Sequence, residues 1–133
     1  VILIDTSAWI DHLNGRATPQ MALVRQVLAD EDIVIGDVVL VELLQGVRED
    51  REAERIRALV RQHRMEVLGG PRIAELAAAN YRTLRRRGLT IRGTIDVVIA
   101  TWCIVDRVPI IHHDKDMGVR ERDLGLLVYR PEA

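Results

Sequence analysis

The chain opens on a short apolar run, Val1 to Ile4, that stops at Asp5. A run this short and rich in β-branched residues predicts a strand buried on both faces. Asp5-Thr6-Ser7 then carries helix N-cap chemistry, and residues 8–13 predict a short helix ended by Asn14-Gly15. Thr18-Pro19 opens the next helix, with Thr as cap and Pro at the first position, and Met21, Leu23, Val24, Val27 and Leu28 follow at helical spacing. Ile33-Val34-Ile35 predicts a second strand, stopped by Gly36. Residues 37–47 predict a helix with a broad apolar face and one charge, Glu42, in its middle. Residues 49–64 predict a charged amphipathic helix that turns Ile56, Leu59 and Val60 inward. Val67-Leu68 predicts a brief strand, and residues 71–87 an Ala-rich helix stopped by Gly88. Arg92-Gly93-Thr94 reads as a turn, with Thr94 capping a helix over 95–106. Residues 108–111 and 126–129 predict the last two strands, and His112-His113-Asp114-Lys115-Asp116 follows the first of them. Short strands alternating with helices predict an α/β fold around a mainly parallel sheet. No linker, repeat or low-complexity segment divides the chain, so residues 1–133 are expected to form a single domain.

Composition sharpens this picture in three places. Hydrophobic residues make up 48% of the chain and charged residues 29%, enough for a core and a solvated surface. No apolar run approaches the roughly 18 residues needed to cross a bilayer, and no basic-then-apolar leader is visible, so no membrane partner is expected. Cys103 stands alone and has no internal disulfide partner; a reducing, cytoplasmic setting is the expectation. Net charge is −1, which points to no nucleic-acid partner by itself. Yet Lys115 is the one lysine among 19 basic residues, and arginine suits bidentate phosphate contact, although a GC-rich genome explains the same bias. Two Trp, two Tyr and no Phe leave too few aromatics for a base-stacking platform.

The carboxylates carry the chemistry. Asp5 ends the first strand, Asp114 follows the strand at 108–111, Asp96 lies in the first turn of a helix, and Glu42 sits on an apolar helix face. Open α/β sheets bind ligands at the carboxyl ends of their strands. Each acid also has a plainer explanation. Asp5 serves as an N-cap, Asp96 as a complement to the helix dipole, Asp114 and Asp116 as caps of the helix near Met117. Glu42 is harder to explain so, because a charge on an apolar face is costly unless paired or bound to a cation; a side chain that snorkels to the surface is its plainer reading. Four gathered carboxylates repel one another and make sense only with a cation, and an oxygen-rich set with few His suits Mg²⁺, or Mn²⁺ in its place. Such an ion activates water and neutralises charge on a phosphate, so phosphodiester hydrolysis is the natural reaction class.

Four segments, taken together, resemble the motifs of the PIN-domain family. They are Ile4-Asp5-Thr6-Ser7-Ala8-Trp9-Ile10, Val41-Glu42-Leu43-Leu44-Gln45-Gly46-Val47, Thr94-Ile95-Asp96 with Ile99-Ala100, and Ile110 to Met117. They stand in family order and span nearly the whole chain, and Glu42 before Leu-Leu-x-Gly looks like the VapC toxins in particular. The resemblance implies a three-layer α/β/α fold with a mainly parallel central sheet. It implies a Mg²⁺-dependent endoribonuclease acting on structured RNA such as tRNA or rRNA, with Asp5, Glu42, Asp96 and Asp114 as the catalytic and metal-binding acids. Ser7 is implied to orient water or metal. Asp116 either assists or caps the following helix, and the cap is favoured. His112 stands where many relatives carry Thr or Ser; it is read as structural, with contact to metal or phosphate as the alternative. The VapC likeness further implies a cognate antitoxin protein and a homodimer. The helices around Met21–Leu28 and Ile56–Val60 are candidates for the groove that takes the antitoxin, and equally for core helices.

Other readings fit less of the chain. A haloacid-dehalogenase-type phosphatase also starts with a strand ending in Asp, but wants a second Asp where Ser7 stands. A His-Asp phosphohydrolase would need an all-helical fold and more histidines than His12 and His63 supply. A flap-endonuclease-like DNA nuclease shares the PIN core but is normally longer. A catalytically inactive PIN-like RNA-binding module has no need of the full acid set.

Overall fold

A computed structural model describes residues 1–89 and 93–130; the side chains of Lys115, Asp116 and Val119 lie outside the description. The described elements are β1 (Ile2–Ile4), α1 (Thr6–Leu13), α2 (Pro19–Asp30), β2 (Ile33–Gly36), α3 (Asp37–Gln45) and α4 (Asp50–Val60). They continue with β3 (Arg64–Glu66), α5 (Pro71–Arg86), α6 (Thr94–Asp106), β4 (Ile110–Ile111) and α7 (Lys115–Leu124).

The four strands form one parallel sheet in the order β3-β2-β1-β4. Ile2 and Leu3 pair with Ile33 and Val34 on one side; Leu3 and Ile4 pair with Ile110 and Ile111 on the other. Every residue of β1, β2 and β4 is buried, so helices must cover both faces, as a short parallel sheet requires. The chain runs outward from β1 through β2 to β3, then returns to place β4 on β1's other side. That reversal puts a switch point between β1 and β4, where ligands of open α/β sheets settle. Asp5 follows β1, and its N–H donates to the Ile111 carbonyl at 2.9 Å. Residues 112–114 follow β4 at the same edge. α3 follows β2 directly and so begins at this edge too, and α6 is the helix that leads into β4.

Several boundaries differ from the expectations of sequence, and the following bear on the fold. The helix begun near residue 50 stops at Val60, and β3 forms at Arg64–Glu66 rather than at 67–68. Arg64 and Met65 are exposed, so this edge strand lacks the apolar signature that would mark it. Leu68 instead turns inward, fully buried, against Gly36. A Cβ on Gly36 would overlap the Leu68 side chain, so Gly36 is there for close approach. Asp37 Oδ1 holds the turn by accepting from Leu68 N–H at 3.0 Å. The strand expected at 126–129 is a single bridge between Val128 and Ile110, since β4 is only two residues long. Thr94 is the first residue of α6 and not its cap; Gly93 takes the cap position with no side-chain hydrogen bond. Of the turn expected at 92–94, Arg92 lies outside the described residues.

Candidate active site

Asp5 is the N-cap of α1 and is only 2% exposed. Its Oδ2 accepts two hydrogen bonds from Ser7, from Oγ at 2.7 Å and from the main-chain N–H at 3.3 Å. Its Oδ1 is buried with no hydrogen-bond partner. Burial pushes the carboxyl above its usual range; the Ser7 bonds pull the other way, and the charge of Glu42 pushes it up again. One oxygen of Asp5 is thus fully engaged, while the other is an orphaned acceptor beside a second acid.

Glu42 projects from the middle of α3 and is half-buried. Its Oε1 accepts from Thr6 Oγ1 at 2.7 Å. Thr6 begins α1 immediately after Asp5, so one peptide step links both acids. Sequence reasoning passed over Thr6 as mere cap chemistry. The signal was there: an Asp-Thr-Ser triplet offers two hydroxyls, one for each neighbouring carboxylate.

The loop after β4 is tied to the same point. His113 N–H donates to Ser7 Oγ at 2.9 Å, so the Ser7 hydroxyl accepts from that loop while donating to Asp5. His112 Nδ1 accepts from Asp114 N–H at 3.2 Å, which places the ring proton of neutral His112 on Nε2. Burial pushes the His112 ring below its usual range, against the pull of Asp114 and Glu121. His112 lies beside Gln20, Tyr129 and Arg130 in a small cleft away from Ser7. The ring thus accepts from the backbone of the loop that carries Asp114.

Asp96 occupies the first turn of α6 and is half-buried. It folds back over Gly93, where an added Cβ would lie 3.2 Å from Asp96 Oδ2. The structure thus brings Asp5 beside Glu42 and ties the loop that carries Asp114 to Asp5 through Ser7, while Asp96 stands in the first turn of α6 over Gly93. Among the described residues no three His, Cys, Asp or Glu side chains stand close enough to hold a metal ion. The side chain of Asp116 lies outside the described residues. The donor chemistry nonetheless suits a hard cation: the donors are carboxylate oxygens, and Asp5 Oδ1 is a buried one lacking a partner.

Beside Glu42 runs a groove of about 290 Å³ between α1, α3 and α4, lined by Ile10, Leu13, Leu43, Val47, Ile56 and Arg55 among others. Of the helix pair read as a groove from sequence, α4 lines it and α2 does not. Val24, Val27, Ile56 and Val60 are all buried, so both helices pack into the core, and of these residues only Ile56 reaches the groove. Among the described residues no helix is long and apolar enough to cross a membrane.

Comparison with known proteins gives the family and the fold. The PIN domain family matches residues 2–122. VapC ribonuclease Mb1587 of Mycobacterium bovis is 31% identical over 128 residues, covering 95% of this chain and 96% of that protein. Ribonuclease VapC11 of Mycobacterium tuberculosis matches equally, at 31% over the same share of both chains. In fold, the chain is similar to a structure of VapBC2 from Rickettsia felis bound to a DNA fragment from their promoter. The TM-score is 0.77 at 15% identity, over 98% of both chains. It is also similar to Mycobacterium tuberculosis VapC20, described as a sarcin-ricin loop cleaving toxin. There the TM-score is 0.68 at 19% identity, over 98% of this chain and all of that one.

Proposed function

Because the chain belongs to the PIN-domain family, in its VapC branch, we propose that it is a Mg²⁺-dependent endoribonuclease and the toxin half of a toxin–antitoxin pair. The observation that carries the reading is the Asp5 carboxylate, with one oxygen pinned by Ser7 and the other buried and unpartnered next to Glu42. A buried anion without a partner is costly, and a cation removes the cost. Asp5, Glu42, Asp96 and Asp114 would hold Mg²⁺, with Mn²⁺ as a substitute. When bound, the cation neutralises charge on the scissile phosphate and makes a nearby water a better nucleophile.

The chain's own residues set the stage for this. Ser7 fixes the rotamer of Asp5 by two donors, so that Oδ1 is the oxygen left to coordinate. Thr6 fixes Glu42 in the same way. His112 fixes the backbone at Asp114. Preorganised acids need little reorganisation at the moment of reaction. The dehalogenase-type reading fails here, because the position that would need a second Asp holds a serine whose hydroxyl serves Asp5.

Structured RNA, tRNA or rRNA, is the substrate class that the VapC relationship supports. The antitoxin is supported by the solved VapBC neighbours and by the groove beside Glu42, whose mixed lining of Ile10, Leu13, Leu43, Val47 and Ile56 with Glu42, Glu52 and Arg55 suits an amphipathic helix. A homodimer fits a second face, an almost wholly apolar cleft between α5 and α6 lined by Ala74, Ala77, Ala78, Tyr81, Val97 and Val98. The test is RNA cleavage by wild type, Asp5→Asn, Asp96→Asn and Asp114→Asn in the presence of Mg²⁺. Each variant should lose at least about 100-fold in rate while staying folded. Cleavage at the wild-type rate by Asp5→Asn would refute the proposed site.

A further inference from the structure

Asp11 is a second buried carboxylate, 2% exposed, and the site described above makes no use of it. It lies on α1 and accepts from Thr18 Oγ1 at 3.2 Å and from the His113 ring, Nδ1 to Oδ2, at 2.6 Å. Arg16 adds a looser ionic contact at 3.9 Å. Thr18 in turn caps α2, its Oγ1 accepting from Met21 N–H at 3.1 Å. His113 is also the residue whose main-chain N–H donates to Ser7 Oγ, and Ser7 donates to Asp5 Oδ2. The bonds therefore form one continuous line, from the cap of α2 through Asp11, His113 and Ser7 to Asp5.

We propose that Asp11 and His113 are a positioning pair. Buried Asp11 grips the His113 ring, and that grip holds the loop after β4 so that Asp114 and Asp5 keep a fixed relation across the β1–β4 switch point. The inference rests on the reading of these acids as a cation site. The geometry favours it over simple stapling of the α1–α2 connection. Stapling needs only Thr18 and Arg16, both near Asp11 in sequence. The shortest bond to Asp11 goes instead to a residue 102 positions away, in the loop that carries Asp114. Groups that orient metal ligands from behind typically change affinity about 10–100-fold when removed.

The experiment is calorimetric titration of Mn²⁺ into the purified protein, with unfolding temperature measured alongside. Asp11→Ala and His113→Ala should each weaken Mn²⁺ binding about tenfold, and raised Mn²⁺ should restore their RNA cleavage. His113→Asn keeps an N–H donor close to the Nδ1 position and should bind Mn²⁺ within about twofold of wild type. Thr18→Val breaks the link to α2 but not the link to His113, and should lower the unfolding temperature without changing Mn²⁺ affinity. Wild-type Mn²⁺ affinity in Asp11→Ala and His113→Ala would overturn the pairing while leaving the cation site intact. His113→Asn as impaired as His113→Ala would overturn it too, because the ring would then matter for more than its bond to Asp11. No Mn²⁺ binding by wild type itself would sink both the site and the pair.

Discussion

Asp5→Asn in the absence of metal should make the protein more stable, not less, and the gain should grow with pH. Asp5 buries an ionised carboxylate with one oxygen unpartnered, so its folded-state pKa lies above that of the unfolded chain, roughly 4. For a raised carboxylate the folded protein binds more protons than the unfolded one between the two pKa values. Wild-type stability is therefore at its full value below about pH 4 and falls as pH rises through the folded pKa. The loss is about 1.4 kcal/mol for each unit by which the pKa is raised. Asparagine removes this titration. It remains as good an N-cap for α1, and its amide oxygen can still accept from Ser7, so capping does not blur the comparison. An unsatisfied buried polar atom costs about 1–3 kcal/mol; asparagine leaves an amide N–H₂ there, so the net gain at pH 7.5 should be about 1–2 kcal/mol. For a chain of this size that is a rise of roughly 3–8 °C in unfolding temperature. The assay is thermal unfolding of both proteins in chelator at steps from pH 4.5 to 8. Added Mn²⁺ at about ten times its dissociation constant should return about 1.4 kcal/mol to wild type and nothing to the variant. If Asp5→Asn is less stable than wild type in chelator at pH 7.5, by an amount independent of pH, then Asp5 is a structural cap and the reasoning fails.

Other consequences are local. Thr6→Val removes the donor to Glu42 without changing side-chain shape; it should cost about 1 kcal/mol of stability and weaken Mn²⁺ binding about tenfold, both measurable by unfolding and calorimetry. Gly36→Val forces a side chain into the space of Leu68 and should destabilise by about 1–3 kcal/mol in denaturant titration, with no change if the 66–70 segment simply moves aside. Cys103 is fully buried and its thiol is pushed up by that burial, so it should resist thiol reagents at pH 8 until the protein unfolds; rapid labelling of native protein would contradict its placement.

Much of this was legible in the chain itself. The runs at residues 1–4 and 33–35 announced central strands because strands buried on both faces need unbroken apolar character. Asp5 and Asp114 were singled out because strand ends in an open parallel sheet are where chemistry gathers. The sheet's edges were harder. β3 is largely exposed, and the pairing of Val128 covers a single position, so neither carries the period that distinguishes a strand. The groove beside Glu42 was legible only on its α4 side, at Ile56: apolar spacing on a helix reports a buried face but not whether neighbours already fill it. Thr6 and Asp11 were missed because their partners, Glu42 and His113, lie 36 and 102 residues away. Spacing rules see only what stands close along the chain.

If carboxylates at the β1–β4 switch point cleave RNA with the help of a divalent cation, cleavage must follow the cation. This is tested most directly by following single-turnover cleavage of tRNA and rRNA by the purified protein across a Mg²⁺ titration, with a chelator control, and identifying the new ends. Cleavage should be absent in chelator, rise to a plateau with Mg²⁺, and leave 5′-phosphate and 3′-hydroxyl ends. Undiminished cleavage in chelator, or 2′,3′-cyclic phosphate ends, would contradict it.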